Sequence, residues 1–179
     1  MRFFLLVALL LAAGCAAAPP AGQEAAAVPQ PPVIEKAWAP QTVRDGTYWQ
    51  AYLKVADPDC DLAAIYARVS QLGFGSYRLQ QFNLGEGDRC GVAGRVSFFI
   101  APDFLWGSRF EVALWVKDKA GNNSQRLTFP VLVDGPPTTL PPADLSGPEF
   151  QRPLGNINVR LRSPVFDRGR PGLGGRLGR

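Results

Sequence analysis

Cysteine, aspartate and arginine are the residues of this sequence whose numbers and spacing suggest chemistry. The chain has 179 residues, with three cysteines, 15 acidic and 19 basic side chains, and no histidine. Without histidine there can be no Ser-His-Asp triad, Cys-His dyad, HExxH zinc site or histidine-held haem. No GxSxG sequence occurs, and Gly85, Gly87 and Gly91 miss the GxGxxG spacing by one residue. The residue types therefore predict a protein that is not an enzyme.

The first 14 residues have the pattern of an export signal. Met1-Arg2 is positively charged, and the 11 residues that follow it, 3–13, are all apolar. This run is shorter than the roughly 20 residues needed to cross a bilayer, which is typical of a signal peptide. The segment Leu11-Ala12-Ala13-Gly14-Cys15 resembles the lipobox of bacterial lipoproteins, although Leu usually stands at the position of Ala12.

The lipobox resemblance implies that the signal is removed before Cys15 and that this cysteine is lipidated. Ordinary cleavage after the alanines at 16–18 is the alternative. Ala16 is not Asp, which by resemblance to proteobacterial sorting favours the outer membrane. Residues 15–32 are rich in proline and alanine and show no apolar period, so they predict a tether between the anchor and a domain. The membrane is then a partner through the lipid, and no cytoplasmic nucleic acid is expected.

Residues 33–133 predict an all-β domain. Aromatic and β-branched residues alternate there with polar ones, and turn residues separate the runs, which is typical of half-buried antiparallel strands. Seven strands are predicted, at about 33–38, 47–55, 62–71, 75–84, 94–100, 110–117 and 124–133. Such a series favours a two-sheet sandwich.

One segment of this domain, residues 61–73, fits two structures. Leu62, Ile65, Val69 and Leu72 share a helical face, and Gly73 could end that helix. The strand alternative places Ile65 and Val69 inward. We favour the strand because the surrounding pattern requires a third strand here.

Two motifs strengthen the sandwich prediction. The segment Val55-Ala-Asp-Pro-Asp-Cys-Asp-Leu62 resembles the V-x-D-P-D-G-D turn of bacterial immunoglobulin-like, PKD-like and cadherin-like repeats. The segment Val116-Lys-Asp-Lys-Ala-Gly-Asn-Asn-Ser124 resembles the hairpin before the final strand of those repeats. The resemblance implies an Ig-like β-sandwich. Cys60 stands where the repeats usually have glycine, which tolerates a positive φ more readily.

Strand direction then predicts which loops meet. Because successive antiparallel strands alternate direction, the loops around Cys60, Cys90 and residues 118–124 should emerge at one end of the sandwich. Cys60 and Cys90 are therefore predicted to form a disulfide, which would persist in an exported protein. Free thiols and pairing between chains are the alternatives.

The same loops carry a group of carboxylates. Calcium takes six to eight oxygen ligands from such loops, whereas aspartate and asparagine are also ordinary turn residues that bond their own backbone. The sequence leaves open a calcium site or solvated turns, and no other cofactor is expected. The candidate calcium ligands are Asp57, Asp59, Asp61, Asp88 and Asp118, with Glu86, Asn122 and Asn123 nearby.

Four aromatic residues lie on the outward register of the predicted strands. They are Tyr48, Tyr52, Phe99 and Trp115. Outward aromatic side chains can form a face that binds a partner or a sugar; cover by the flanking segments is the alternative. Tyr52 and Trp115 are the candidate binding residues of this group.

The C-terminal segment, residues 134–179, holds the positive charge of the chain. Seven arginines and one acidic residue follow residue 149, whereas residues 1–149 contain 12 basic and 14 acidic residues. The candidate partner-binding arginines are Arg160, Arg162, Arg168 and Arg170. Such a segment suits an anionic envelope polymer or a partner protein, with a solvated tail as the alternative. Residues 156–163 alternate, so they could join the sandwich as an eighth strand, extend a partner's sheet, or become ordered on binding.

Together these patterns predict a non-enzymatic cell-envelope lipoprotein that presents an Ig-like domain for protein interaction or envelope assembly. Two alternatives remain at this point. One is a carbohydrate- or cell-wall-binding module, and the other is an accessory subunit that docks through its arginine-rich tail.

Overall fold

A computed structural model describes residues 28–103, 105–135 and 140–163 of the chain. The predicted signal peptide, Cys15, most of the predicted tether, Arg168 and Arg170 lie outside the described residues. Within the described residues, no helix is long and apolar enough to cross a membrane.

Ten strands form two sheets in the part of the chain that the structure describes. The strands are β1 (Val33–Trp38), β2 (Thr42–Val43), β3 (Tyr48–Ala56), β4 (Leu62–Gln71), β5 (Gly75–Ser76), β6 (Gln80–Asn83), β7 (Gly91–Phe99), β8 (Arg109–Asp118), β9 (Leu127–Val133) and β10 (Pro153–Ile157). One sheet has the order β1-β3-β7-β10; the other has the order β2-β9-β8-β4-β5, with β6 also paired to β4. This arrangement confirms the predicted all-β, Ig-like sandwich.

Alternating apolar residues of both sheets form the core between them. The inward faces of β3, β7 and β8 contribute Trp49, Phe98 and Phe110, all at most 2% exposed. The Trp49 indole Nε1 donates to the Pro40 carbonyl at 2.9 Å, which satisfies its buried polar group. The core thus follows the period of two predicted for these strands.

The ambiguous segment is a strand. Residues of β4 pair antiparallel with β8, as in Ile65 with Val116 and Val69 with Val112. A helix would have buried Leu72, but Leu72 lies beyond the strand and is 74% exposed.

The strand predicted at 75–84 is interrupted in the structure. Gly73 and Gly75 both have positive φ, at 82° and 84°, and they turn the chain tightly after β4. Two short strands, Gly75–Ser76 and Gln80–Asn83, then pair with separate parts of β4. The two-residue strand Thr42–Val43, which pairs parallel with β9, was not predicted.

The packed structure continues past the predicted boundary at residue 133. Two short 3-10 helices, Ala143–Leu145 and Pro148–Gln151, cross the outer face of the four-stranded sheet. The chain then forms β10, which pairs parallel with β7. The predicted eighth strand therefore exists on the chain's own sandwich, but it spans Pro153–Ile157 rather than 156–163. We call residues 143–163 the C-terminal strap.

Candidate functional site

The end of the sandwich that carries the disulfide is called the proximal end. A disulfide joins Cys60 to Cys90 there. The Asp57 N–H donates to the Cys90 carbonyl at 2.9 Å, and the Lys119 N–H donates to the Asp61 carbonyl at 2.9 Å. These bonds bring the three predicted loops together. Cys60 has a φ of 57°, the left-handed conformation that glycine adopts at low cost.

The carboxylate of Asp57 organises the first of these loops. Asp57 is 3% exposed, and its two carboxylate oxygens accept the backbone N–H groups of Asp59 and Asp61, each at 3.2 Å. Burial is the main cause that raises the pKa of Asp57 above its ordinary value. The Asp57 carboxylate therefore stabilises the turn through these hydrogen bonds.

Three of the remaining candidate calcium ligands, Asp59, Asp88 and Asp118, also accept hydrogen bonds within the protein, whereas Asp61 Oδ1 is buried without a hydrogen-bond partner among the described residues. Asp118 accepts the backbone N–H and the side-chain amide of Asn122, at 2.7 and 2.9 Å. Asp88 accepts both Nη atoms of Arg152, at 2.5 and 2.7 Å. Across 28–103, 105–135 and 140–163, no group of three or more His, Cys, Asp or Glu residues could hold a metal ion. The loops meet as predicted, but their carboxylates do not converge on one point.

The Asp88–Arg152 pair gives stability a pH dependence. The Arg152 guanidinium is the main cause that lowers the pKa of Asp88 below its ordinary value, so the pair stabilises the fold above the unfolded-state pKa of about 3.9. This contribution is lost as the pH falls through the lower folded-state pKa. Asp88→Asn should cost about 1–2 kcal/mol at pH 7, and thermal melts should show the difference from the parent shrinking below about pH 4.

Asp103→Asn is the matched control for that experiment. Asp103 pairs with Arg160 at 2.8 Å, but the Arg160 side chain is 79% exposed, and such pairs contribute little. The melting temperature of Asp103→Asn should therefore stay close to that of the parent at every pH. Equal losses for both variants, or a loss for Asp88→Asn that persists at pH 3, would contradict the assignment.

Trp115 lies on the outer face of the six-stranded sheet, as predicted, and both sides of its indole have neighbours. Tyr66 of β4 stacks with it at 5.6 Å between ring centroids and an interplanar angle of 11°. The Arg126 guanidinium lies 4.6 Å from the indole centroid. Because β4 and β9 flank β8 on opposite sides, Tyr66 and Arg126 approach the indole from opposite directions. The indole is therefore held within the protein and does not offer a free stacking surface.

Tyr52 is not an exposed binding residue, which corrects the prediction for it. Its side chain points out of the four-stranded sheet, as the strand register required, but it is only 8% exposed. Leu145 and Phe150 of the C-terminal strap cover it, and Trp38 lies 5.9 Å away between ring centroids. The C-terminal strap therefore covers the outer face of the four-stranded sheet, on which the sequence predicted an exposed tyrosine.

The two described candidate arginines lie on the strap. Arg160 pairs with Asp103, and the backbone N–H of Arg162 donates to the Gln71 side-chain oxygen at 2.9 Å. Arg160 is thus engaged in an internal ion pair, whereas the Arg162 side chain is exposed.

The opposite end of the sandwich, which we call the distal end, carries exposed apolar side chains. Leu72 and Trp106 are 74% and 73% exposed in the loops that follow β4 and β7. Tyr48 and Phe99, which pair at this end of β3 and β7, are also exposed, and their tilted rings lie 5.1 Å apart between centroids. The strand register predicted that Tyr48 and Phe99 face outward, whereas the exposure of Leu72 and Trp106 was not predicted. The signal for Trp106 was a large apolar residue between turn-forming residues, outside any alternating run.

An open cavity of about 600 Å³ lies where the distal end meets the outer face of the six-stranded sheet. Its lining includes Ser70, Leu72, Arg109, Glu111 and Pro130. Apolar and charged side chains thus share one concave surface, as in many ligand-binding depressions.

No protein-family model matches the chain, and no curated protein matches it in sequence. Among solved structures, it is similar to the PKD domain of an M14-like peptidase from a Thermoplasmatales archaeon, at 17% identity and a TM-score of 0.38, over 60% of this chain and 100% of that one. It is also similar to a CARDB domain from Pyrococcus furiosus, solved in complex with di-metal ions, at 15% identity and a TM-score of 0.33, over 59% of this chain and 88% of that one. At these TM-scores, neither likeness bears on what this chain binds.

Proposed function

We propose that the protein is a non-enzymatic cell-envelope lipoprotein whose Ig-like domain docks a partner protein through its distal end. The lipobox resemblance around Cys15 supports the anchor, and the tether separates that anchor from the domain. The domain itself supplies the binding surface.

One observation carries the proposal: the chain enters the sandwich at one end, and large apolar side chains are exposed at the opposite end. The backbone N–H of Gln30 donates to Asp59, so the chain enters the domain at the proximal end. That end carries the carboxylates of Asp57, Asp88 and Asp118, which bond to neighbouring groups, and its exposed apolar residue Val33 is smaller than Leu72 or Trp106. The distal end lies across the length of the sandwich and exposes Leu72 and Trp106. Exposed large apolar side chains grouped in this way are typical of protein-binding surfaces.

Site-specific photo-crosslinking in cells tests the docking surface. A photoreactive amino acid at position 72 or 106 should give the same discrete protein adduct. The control position is Val33, which is also apolar and is 50% exposed, but lies at the proximal end. An adduct from Val33 that equals the distal adducts, or no adduct from either distal position, would overturn the docking proposal.

The anchor has a separate test. Cys15→Ala should abolish incorporation of labelled fatty acid and release the protein from the membrane fraction. Retention of the label in this variant would contradict lipidation at Cys15, while leaving the crosslinking result to judge the docking surface.

A further inference from the structure

We infer that the outer face of the six-stranded sheet binds an acidic polysaccharide. This face adjoins the distal end, since Arg109 and Glu111 line the same cavity as Leu72, but the inference does not depend on the docking proposal. Its strands β9, β8, β4 and β6 lie side by side, so alternate residues of each point to solvent. We call it the cationic face; its charged members are Arg68, Arg109, Lys117, Arg126 and Glu111.

The basic residues of the cationic face form no ion pairs. Five salt bridges occur among the described residues, and each joins groups elsewhere on the molecule. The cationic face thus has four positive charges against Glu111. The described residues as a whole are nearly neutral, with 14 basic and 13 acidic side chains. This face therefore carries a larger excess of positive charge than the described residues as a whole, which favours an anionic ligand.

The geometry of the face suits an extended polymer. Tyr66 pairs with Trp115 across β4 and β8, and Arg68 pairs with Ala113, which pairs in turn with Thr128. Successive rows lie about 7 Å apart along the strands, and neighbouring strands within a row lie about 4.8 Å apart. The guanidinium and ammonium groups are thus spread over a broad, shallow surface and not gathered in one pocket.

The polar side chains on the face favour a sugar over an acidic protein. Gln81 and Asn83 are exposed on β6, and Gln81 Nε2 donates to Asn83 Oδ1 at 2.8 Å, which fixes both amides. With Ser70 and Thr128 they offer donors and acceptors for sugar hydroxyls. Protein interfaces depend instead on apolar anchors, and the exposed apolar side chains of Leu72 and Trp106 lie at the distal end.

The chain's own C-terminal segment is excluded as the occupant by charge. Residues 164–179 contain four arginines and one acidic residue, so a cationic face would repel them. These arginines would also bind an anionic polymer by themselves. The test therefore uses the full chain with Arg168, Arg170, Arg176 and Arg179 replaced by glutamine, which we call the tail-neutral protein.

Calorimetric titration with alginate, a polymer of uronic acids, tests the inference. The tail-neutral protein should bind alginate but not neutral dextran, with an affinity that falls as salt rises. Adding Arg68→Gln and Lys117→Gln should weaken binding about tenfold. The control adds Lys54→Gln and Arg95→Gln, which remove two positive charges from the other sheet, where Lys54 pairs with Glu35 and Arg95 donates to Gln151. It should bind as the tail-neutral protein does.

A gain-of-binding variant keeps the test decisive if the first variant folds poorly. Glu111→Gln removes the one acidic group of the cationic face and should tighten alginate binding. Equal affinities of the face variant and its control, or no gain for Glu111→Gln, would overturn the inference. Equal binding of polyglutamate or of a DNA duplex would overturn the assignment to a polysaccharide.

Discussion

A chain that ends at Val133 should lose cooperative unfolding, whereas a chain that ends at Ser163 should melt as the full chain does. The shorter chain keeps every strand predicted from the sequence except that at 156–163, but it lacks the C-terminal strap. The strap buries five apolar side chains to 8% exposure or less, namely Leu145, Phe150, Leu154, Ile157 and Leu161. Each is worth about 1.5–3 kcal/mol when buried. Their sum is comparable with the whole stability of a typical domain, about 5–15 kcal/mol.

The position of β10 explains why the loss should be so large. Strand β10 lies beside β7, at the place of the fourth strand in the corresponding Ig sheet. Without it, the edge of β7 and the core residues next to it would face water. Thermal melts followed by circular dichroism measure the outcome. A cooperative transition of the 1–133 chain at the parent's melting temperature would show that the strap is not part of the domain.

A single substitution tests the same packing in a chain that still folds. A Cβ added at Gly155 would overlap the ring of Phe82 on β6, so Gly155→Ala should cost about 1–3 kcal/mol. Gly87→Ala is the control, because nothing lies within 4 Å of the added carbon there. Equal stability of the two variants would contradict the close approach of β10 to β6.

The main strands could be predicted from the sequence because their pattern is local. In β3, β7 and β8 every second residue faces the core and is buried, so the period itself identifies the inward face. The loop cluster at the proximal end followed from strand direction alone. Even Tyr52 was assigned to the correct side of its sheet.

The cover over Tyr52 could not be predicted, because it depends on contacts between distant parts of the chain. Leu145 and Phe150 come from a proline-rich segment with no alternating pattern, and nothing local assigns them a partner. The Asp88–Arg152 pair joins residues 64 positions apart. Aspartate at 88 therefore looked like an available carboxylate, although the strap neutralises it in the folded chain.

The cationic face could not be predicted from the sequence for a related reason. Arg68, Lys117 and Arg126 belong to three different strands, and only the order β4-β8-β9 places them on one surface. In the sequence, the arginines of the C-terminal segment dominate the charge balance. The structure shows that Arg152 and Arg160 form internal ion pairs, whereas Arg68, Lys117 and Arg126 on the sheet form none with any described residue.

Replacing both Cys60 and Cys90 by alanine should lower the free energy of unfolding by about 3–4 kcal/mol, because the disulfide limits the freedom of the unfolded chain. The two cysteines are 30 residues apart in sequence, and the bridge joins the loops that precede β4 and β7. Urea unfolding under oxidising conditions measures the loss. The parent with a reducing agent should unfold at the midpoint of the variant, and the variant should not respond to that agent.

The conformation of Cys60 allows the bridge to be separated from the turn. Cys60 has a φ of 57°, a conformation that costs a non-glycine residue about 1–2 kcal/mol. Cys60→Gly with Cys90→Ala loses the disulfide but relieves this cost, so it should be about 1 kcal/mol more stable than the double alanine variant. If the two variants had equal midpoints, the left-handed conformation at this position would carry no cost. If the parent and the double alanine variant had equal midpoints under oxidising conditions, the bridge would contribute no stability, and the hydrogen bonds among the three loops would be enough to hold the proximal end together.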